Sequence, residues 1–358
     1  MDNPQILVIN PGSTSTKVSL FEGDQELLTK TIEHKLEDLA RFNRASDQDL
    51  YRMELIIETL KKNKDIDLSR LKAVVGRGGL LKPIEGGTYR VNQQMVADLR
   101  KGVQGDHPSN CGGLIAYSLS QNLGCEAFIV DPVVVDELQD IARLSGMPLI
   151  QRRSIFHALN QKAVARQAAQ VLGKSYFDVN LIVAHLGGGI TVGAHHKGRV
   201  IDVNNGLDGD GPYSPERSGG VPAGDLIKAC FSGEYTFADM KKLIKGHGGV
   251  VAYLGTHDMK LVEDEINQGN SEYRMIYEGI AYQVAKEIGA SATVLDGKVD
   301  TICLTGGLAY SEMMLDWIRQ RVSWIAPIQV FQGEEEMKAL ALGALRVLTG
   351  EENAKEYL

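Results

Sequence analysis

The chain is 358 residues long, more than one compact core usually holds, so two domains are expected. Hydrophobic residues make up 43% and charged residues 23%, an ordinary globular balance, and no apolar run approaches the roughly 20 residues that cross a bilayer, so no membrane span is expected. The net charge of −8 argues against a nucleic-acid partner, which calls for a concentrated basic face, but a local cationic cluster can still hold a small polyanion because overall charge is screened beyond about 8 Å.

Met1–Gln5 carries an acid and no basic stretch of the kind that opens a signal peptide. Cys111, Cys125, Cys230 and Cys303 make no Cys-x-x-Cys pair and no Cys/His metal cluster, so reduced structural thiols in a cytoplasmic protein are expected. Glycine is the unusual component: 39 residues, above the roughly 7% of an average protein, gathered in short clusters beside apolar strands. Such clusters mark loops where backbone approaches a ligand closely.

In chain order, the apolar run Ile6–Ile9 enters the polar turn Asn10–Lys17 and leaves as Val18–Phe21, which reads as a β-hairpin. From Ser46, placed to cap, to about Lys62, the residues Leu50, Met53, Ile57 and Leu60 keep helical spacing. Strands are expected at Ala73–Val75 and Phe128–Val130, and a helix from Ile155 to Leu172 closed by Gly173. A second hairpin is stronger: Asn180–Leu186 runs in, Gly187–Gly188–Gly189 turns, Ile190–Ala194 returns, and Lys197–Gly198 turns again into Arg199–Val203. His195 and His196 fall on the part of it expected to face solvent.

Beyond it come a long helix marked by Ile276, Ile280, Val284 and Ile288, a strand at Thr301–Leu304, the turn Thr305–Gly306–Gly307–Leu308, and an apolar helix over Met337–Leu348. Strand–turn–strand units near residues 6 and 181 head the two halves, a weak internal symmetry that puts the boundary near 145–155 and gives domains 1–150 and 151–358. No linker rich in Pro, Gly and Ser separates them, so two closely packed domains of class α/β around a cleft are expected.

The turn Asn10–Lys17 exposes backbone N–H groups and hydroxyls, with Lys17 adding a point charge and Asn10 able to orient a metal-bound water, which together suit a phosphate. A solvated hairpin explains one such turn as well. It is not a Walker loop, since the G-x-x-x-x-G-K-[ST] spacing is absent. The glycine turn after His185 is no dinucleotide fingerprint, because a strand follows where that motif needs a helix. Three such turns in one chain, each at a strand end, favour a phosphate ligand.

Seven motifs run in order through the chain: Val8–Lys17, Gly76–Arg77–Gly78–Gly79, Gly105–Asn110, Phe156–Asn160, His185–Gly189, Pro215–Gly220 and Leu304–Gly307. On these the chain resembles the acetate/butyrate kinase family, and within it the butyrate kinases, in the acetate and sugar kinase, Hsp70 and actin superfamily. The resemblance implies a two-domain actin-like (ribonuclease H-like) ATPase fold, with duplicated β-sheet cores and a central cleft that closes on ATP. It implies reversible transfer of the γ-phosphoryl group of ATP, with Mg²⁺, to a short-chain carboxylate, giving ADP and an acyl phosphate. A homo-oligomer built on a dimer is implied too.

By the same resemblance, Asn10 falls at Mg²⁺, and Ser13, Ser15 and Lys17 face the transferring phosphoryl group. Asp131 falls on an essential acid, expected to serve Mg²⁺ or a metal-bound water. His157 and Arg217 match transition-state stabilisers, and His185, Gly187, Gly188 and Gly189 the second phosphate loop. Asp258, Lys260, Gly306, Gly307 and Leu308 fall on nucleotide contacts. Glu335 falls near a Mg²⁺-linked acid, with the register open among Glu334, Glu335 and Glu336, and acidic residues there also favour a helix start. His107, in a polar loop with Pro108 and Asn110, is a substrate-side candidate.

A carboxylate with a pKa near 4 to 5 is already ionised at pH 7 and needs no general base. The difficulty is bringing two anions together, so the site should be cationic, and Lys17, Arg77, His157 and Arg217 match that demand. The planar fork of an arginine at Arg217 can hold two oxygens at once. Acetate kinases usually read Arg-Val-Val-His-Gly-Gly where this chain has Val74–Gly79, so the family's substrate arginine falls on Val74, and Arg77 is expected to grip the carboxylate or phosphoryl group instead. Gly76 falls where those kinases carry a valine beside the methyl pocket. The missing side chain is expected to admit two further methylenes, about 1.6 kcal/mol or a little over tenfold. Butyrate or a branched analogue is the expected acid. The alternatives are an acetate or propionate kinase, and an actin- or Hsp70-like nucleotide-dependent assembly or chaperone protein.

Overall fold

Apolar runs buried on both faces frame the molecule: Ile6–Ile9, Ala73–Val75 and Leu181–Leu186 are all buried, which is why they read as continuous hydrophobic stretches rather than alternating ones. The computed structural model describes residues 3–62 and 67–358. Among these residues the strands are β1 (Gln5–Pro11), β2 (Ser15–Glu22), β3 (Gln25–Glu33), β4 (Leu71–Arg77), β5 (Thr88–Arg90), β6 (Glu126–Val130), β7 (Asn180–Leu186), β8 (Ile190–His196), β9 (Arg199–Val203), β10 (Thr301–Gly306), β11 (Ile328–Gln332) and β12 (Lys355–Glu356).

They form two sheets, ordered β12-β5-β6-β4-β1-β2-β3 and β11-β10-β7-β8-β9. In each, an antiparallel meander (β1-β2-β3 or β7-β8-β9) continues through its first strand into parallel strands, β4 and β6 or β10 and β11. The duplication foreshadowed by the two hairpins is therefore a duplication of sheet topology.

Helices supply the crossovers that parallel pairing needs. Asn110–Leu123 precedes β6 and packs on β4. Ser271–Val294 buries Ile276, Ile280, Val284 and Ile288, four residues apart, against the second sheet. Glu312–Val322 joins β10 to β11. Among the described residues no helix is long and apolar enough to cross a membrane.

The compact units are Met1–Val135 with Glu335–Leu358, and Asp136–Glu334, so their bounds differ from the expected break after residue 150. The C-terminal segment joins the first unit for three physical reasons. The helix Glu336–Leu348 packs on β1, β4 and β6; β12 pairs with β5; and the buried Tyr357 hydroxyl donates to Asp98 at 2.8 Å.

Three local expectations also change. Ser46 lies within a 3₁₀ turn, Ala45–Gln48, and the α-helix Asp49–Lys61 begins after it, burying Arg52, Ile56 and Leu60 while Leu50 is exposed. The helix expected from Ile155 runs Ala158–Val171, which leaves His157 at its N-cap rather than on a helix face. His195 is buried, not solvated, bonded to the Tyr176 hydroxyl at 2.8 Å and Gln161 Oε1 at 3.1 Å, and burial, with Lys162 nearby, holds its pKa well below the usual histidine value.

Candidate active site

In the first unit, parallel β1, β4 and β6 lie side by side, with Ile9 opposite Gly76 and Arg77 opposite Val130. Their carboxyl ends therefore bring Asn10, Arg77 and Asp131 to one edge of the sheet, the edge where open α/β sheets bind ligands. Asn10 Nδ2–H donates to Glu336 Oε2 at 2.8 Å, and Arg77 donates through Nη1 to Glu336 Oε1. The acid that meets Asn10 is thus Glu336; Glu335 is the exposed N-cap of the same helix, 4.0 Å from Lys338.

Asp131 is buried and has φ of 38°, a left-handed conformation rare outside glycine, and its Oδ1 accepts from Gly87 N at 2.6 Å. Held strain of this kind concentrates at functional sites. The turn between β1 and β2 exposes Ser13, half-buries Ser15, and places Lys17 on β2 opposite Asn10 with its side chain outward. His107 is exposed in the turn before the helix Asn110–Leu123, its Nδ1 2.8 Å from Ser109 Oγ.

Gly76 has a different reason from the one expected. A Cβ built on it would overlap the Gly112 carbonyl, because β4 and the helix Asn110–Leu123 approach backbone to backbone there. The missing side chain lets a strand and a helix touch; it does not leave room for methylenes.

Asn10 and Glu336 can be tested against Mg²⁺, the metal the resemblance implies. Mg²⁺ is usually held by one or two carboxylates with substrate phosphates and waters, not by an all-protein cage. One carboxylate beside an amide fits that demand, and among the described residues no group of three or more His, Cys, Asp or Glu forms a cage. Each Glu336 oxygen accepts one hydrogen bond and keeps a lone pair for a cation or its water.

In the second unit the turn Gly187–Gly189 sits at the end of β7 and is braced by Ser214 Oγ–H donating to Gly188 O at 2.6 Å. His185 is buried on β7, with Nδ1 2.7 Å from Asn160 Oδ1 and Nε2 3.1 Å from Glu334 Oε1. His157 stacks on it, ring centroids 3.7 Å apart and planes 12° apart, and its Nδ1 lies 2.9 Å from Thr191 Oγ1. Arg217 donates through Nη1 to Gly206 O, and burial lowers its pKa, with Glu216 opposing the shift. Its guanidinium packs so closely on Gly189 that a Cβ there would overlap it.

Next to these groups is a hollow of about 530 Å³ lined by Gly187, Gly188, Glu216, Asp258, Gly307 and Leu308 among others, a size suited to a small ligand. Asp258 lines it while capping the helix Met259–Asn267, its Oδ1 accepting from Lys260 N at 3.0 Å and Leu261 N at 3.2 Å. Lys260 is exposed in that first turn, and Gly306, with φ of 93°, ends β10 where a Cβ would overlap Leu186 O. The sequence left the acid open among Glu334, Glu335 and Glu336 and did not mark Ser214 or Arg52; for Arg52 the available signal was its place four residues before Ile56 and eight before Leu60 on one helical face.

Against solved structures, the chain is similar to the acetate kinase of Porphyromonas gingivalis, at 19% identity and a TM-score of 0.80 over 96% of this chain and 100% of that one. It is similar to a propionate kinase from Francisella tularensis subsp. tularensis SCHU S4, at 18% identity and 0.73 over 95% and 98%. A third similar structure, the acetate kinase of Entamoeba histolytica, has 16% identity and 0.75 over 95% and 98%. At these identities the likeness fixes the fold: α/β, two-domain and actin-like, with duplicated sheet cores. The family model described as Acetokinase family matches residues 126–322, more than half of the sequence. The chain belongs to the acetokinase family.

Proposed function

We propose that this protein transfers the γ-phosphoryl group of ATP directly and in line to a short-chain carboxylate, butyrate or a branched analogue in preference, and runs the reverse reaction from ADP and the acyl phosphate. The acetokinase family, to which the chain belongs, is one of ATP-dependent carboxylate phosphotransferases. The observation that carries the reading is the meeting of Asn10, Arg77 and Glu336 at the carboxyl ends of β1 and β4.

The acceptor is ionised at neutral pH, so the residues act by position and charge rather than by removing a proton. Lys17 and the hydroxyls of Ser13 and Ser15 hold the transferring group. Arg77, with one N–H engaged by Glu336, turns the rest of its fork to the acceptor carboxylate. The nucleotide lies in the hollow beside Gly187–Gly188, Asp258 and Gly307–Leu308, with Arg217 and His157 stabilising charge that develops on the phosphoryl oxygens. Asn10 and Glu336, with Asp131 in support, would hold Mg²⁺, which would supply neutralisation of the phosphate charge. Gly76 plays no part in the preference for longer acids, which rests on the sequence resemblance. A cytoplasmic location rests on the reading of Cys111, Cys125, Cys230 and Cys303 as reduced thiols, and a homo-oligomer rests on the resemblance alone.

ATP, hydroxylamine, Mg²⁺ and butyrate together test the reading. An acyl kinase yields butyryl hydroxamate; release of ADP without hydroxamate would favour an ATP-driven assembly or chaperone protein instead.

A further inference from the structure

Arg52 is fully buried, yet no carboxylate meets it among the described residues. Its donors go to neutral oxygens: Nη2–H to Ser13 O at 3.2 Å, Nη1–H to Ser15 O at 3.0 Å and to Thr16 Oγ1 at 2.9 Å, and Nε–H and Nη2–H to Gln48 Oε1 at 3.1 and 2.8 Å. A buried cation normally takes a paired acid, because the interior solvates it poorly. Here every acceptor but Gln48 belongs to the turn between β1 and β2 or to the first two residues of β2.

Thr16 Oγ1 also lies 2.8 Å from Nε2 of the buried His34, whose backbone N–H donates to Thr14 O at 2.8 Å. The turn is therefore bolted from below at Ser13, Thr14, Ser15 and Thr16. In a trans peptide the carbonyl and the following N–H point in opposite directions. Drawing Ser13 O inward to Arg52 accordingly turns the Thr14 N–H outward, to the side where Ser13 is exposed.

We propose that Arg52 is the positioning residue of this turn: it fixes the outward N–H and hydroxyl array and sets an unpaired positive charge beneath it, so that the turn receives a phosphoryl group already formed and already electropositive. The inference rests on the reading of Ser13, Ser15 and Lys17 as phosphoryl contacts. It requires an arginine, because a lysine has the charge but cannot reach the oxygens of Ser13, Ser15 and Thr16 from one planar fork.

The test compares Arg52→Gln and Arg52→Lys with the wild type for kcat, the KM of butyrate, ADP affinity and thermal melting, with Mg²⁺ present throughout. The wild-type arm decides the functional reading by itself, since a wild type without butyrate-dependent turnover defeats that reading whatever the variants do. With an active wild type, the proposal predicts that kcat falls roughly 100-fold in Arg52→Gln and roughly tenfold in Arg52→Lys, while the butyrate KM and ADP affinity change less than about threefold. If Arg52→Gln does not fold, the Lys variant decides. A folded variant with wild-type kcat overturns the proposal, as does a loss spread equally over kcat, butyrate KM and ADP affinity. Failure of both variants to fold also overturns it, leaving Arg52 as a structural bolt only.

Discussion

Asn10 and Glu336, 326 positions apart in sequence, meet at 2.8 Å, the amide of one donating to the carboxylate of the other. The contact ties the carboxyl end of β1 to the first turn of the C-terminal helix, and Arg77 grips the second oxygen of the same carboxylate. Removing the charge at Glu336 should therefore remove the acid proposed to serve Mg²⁺ and weaken the brace on Arg77. We expect Glu336→Gln to lower kcat by about 100-fold or more and to raise the Mg²⁺ concentration giving half-maximal rate. Glu335→Gln should stay near wild type. Titrating each variant with Mg²⁺ checks this, and a Glu335 effect larger than the Glu336 effect would show the acid to be misassigned.

Asp131 sits at an unusual backbone angle, and its carboxylate accepts from Gly87 N. Asp131→Asn keeps the shape and removes the charge, so the fold should persist while turnover falls by about 100-fold. Melting curves and Mg²⁺ affinity measured alongside kcat separate the two effects. Full activity with unchanged Mg²⁺ affinity would remove Asp131 from the mechanism.

Gly189 and Arg217 are packed with no space for a methyl group between them. Gly189→Ala should displace the guanidinium and cost about tenfold or more in kcat with the protein still folded. Circular dichroism and steady-state rates on the same preparation decide it: a folded variant with wild-type kcat would mean that Arg217 need not hold that position.

Gly76 leads to a prediction opposite to the one its sequence context invites. A valine there would enter the backbone of the helix Asn110–Leu123, so Gly76→Val should destabilise by about 3 kcal/mol or more, and no shift toward acetate should appear in whatever folds. A stable variant that prefers acetate would restore the pocket explanation.

His34 gives the acid limb a sign. Burial, helped by Arg52, lowers its pKa to about 4, whereas the unfolded chain titrates near 6.5. Between those values the unfolded state binds more protons, so stability is intact above about pH 6.5 and is lost as pH falls toward 4, by at most about 3 kcal/mol. Denaturant melts of wild type and His34→Gln from pH 7 to pH 4 should converge at the acid end. Parallel curves would show that His34 does not titrate in this way.

Much of this was legible in the sequence, because doubly buried strands announce themselves as apolar runs: β1, β4, β7 and β10 all fall where such runs occur. The two hairpins revealed the duplicated topology for the same reason. What stayed hidden depends on contacts distant in sequence. Nothing in the run Glu334–Glu336 says which acid faces Asn10; helix phase decides it. Nor does a lone glycine say whether its missing side chain opens a pocket or admits a helix, as Gly76 does. Arg52 stayed unmarked, because the helical spacing of Leu50, Met53, Ile57 and Leu60 points to a face one residue round from the buried Arg52 and Ile56.

The most direct measurement is kcat/KM for ATP-dependent phosphorylation of straight and branched acids from two to five carbons, with Mg²⁺ present. Acid-dependent ADP formation, matched by acyl phosphate, should rise to a maximum at four carbons. ATP turnover at the same rate with and without any of these acids would contradict it.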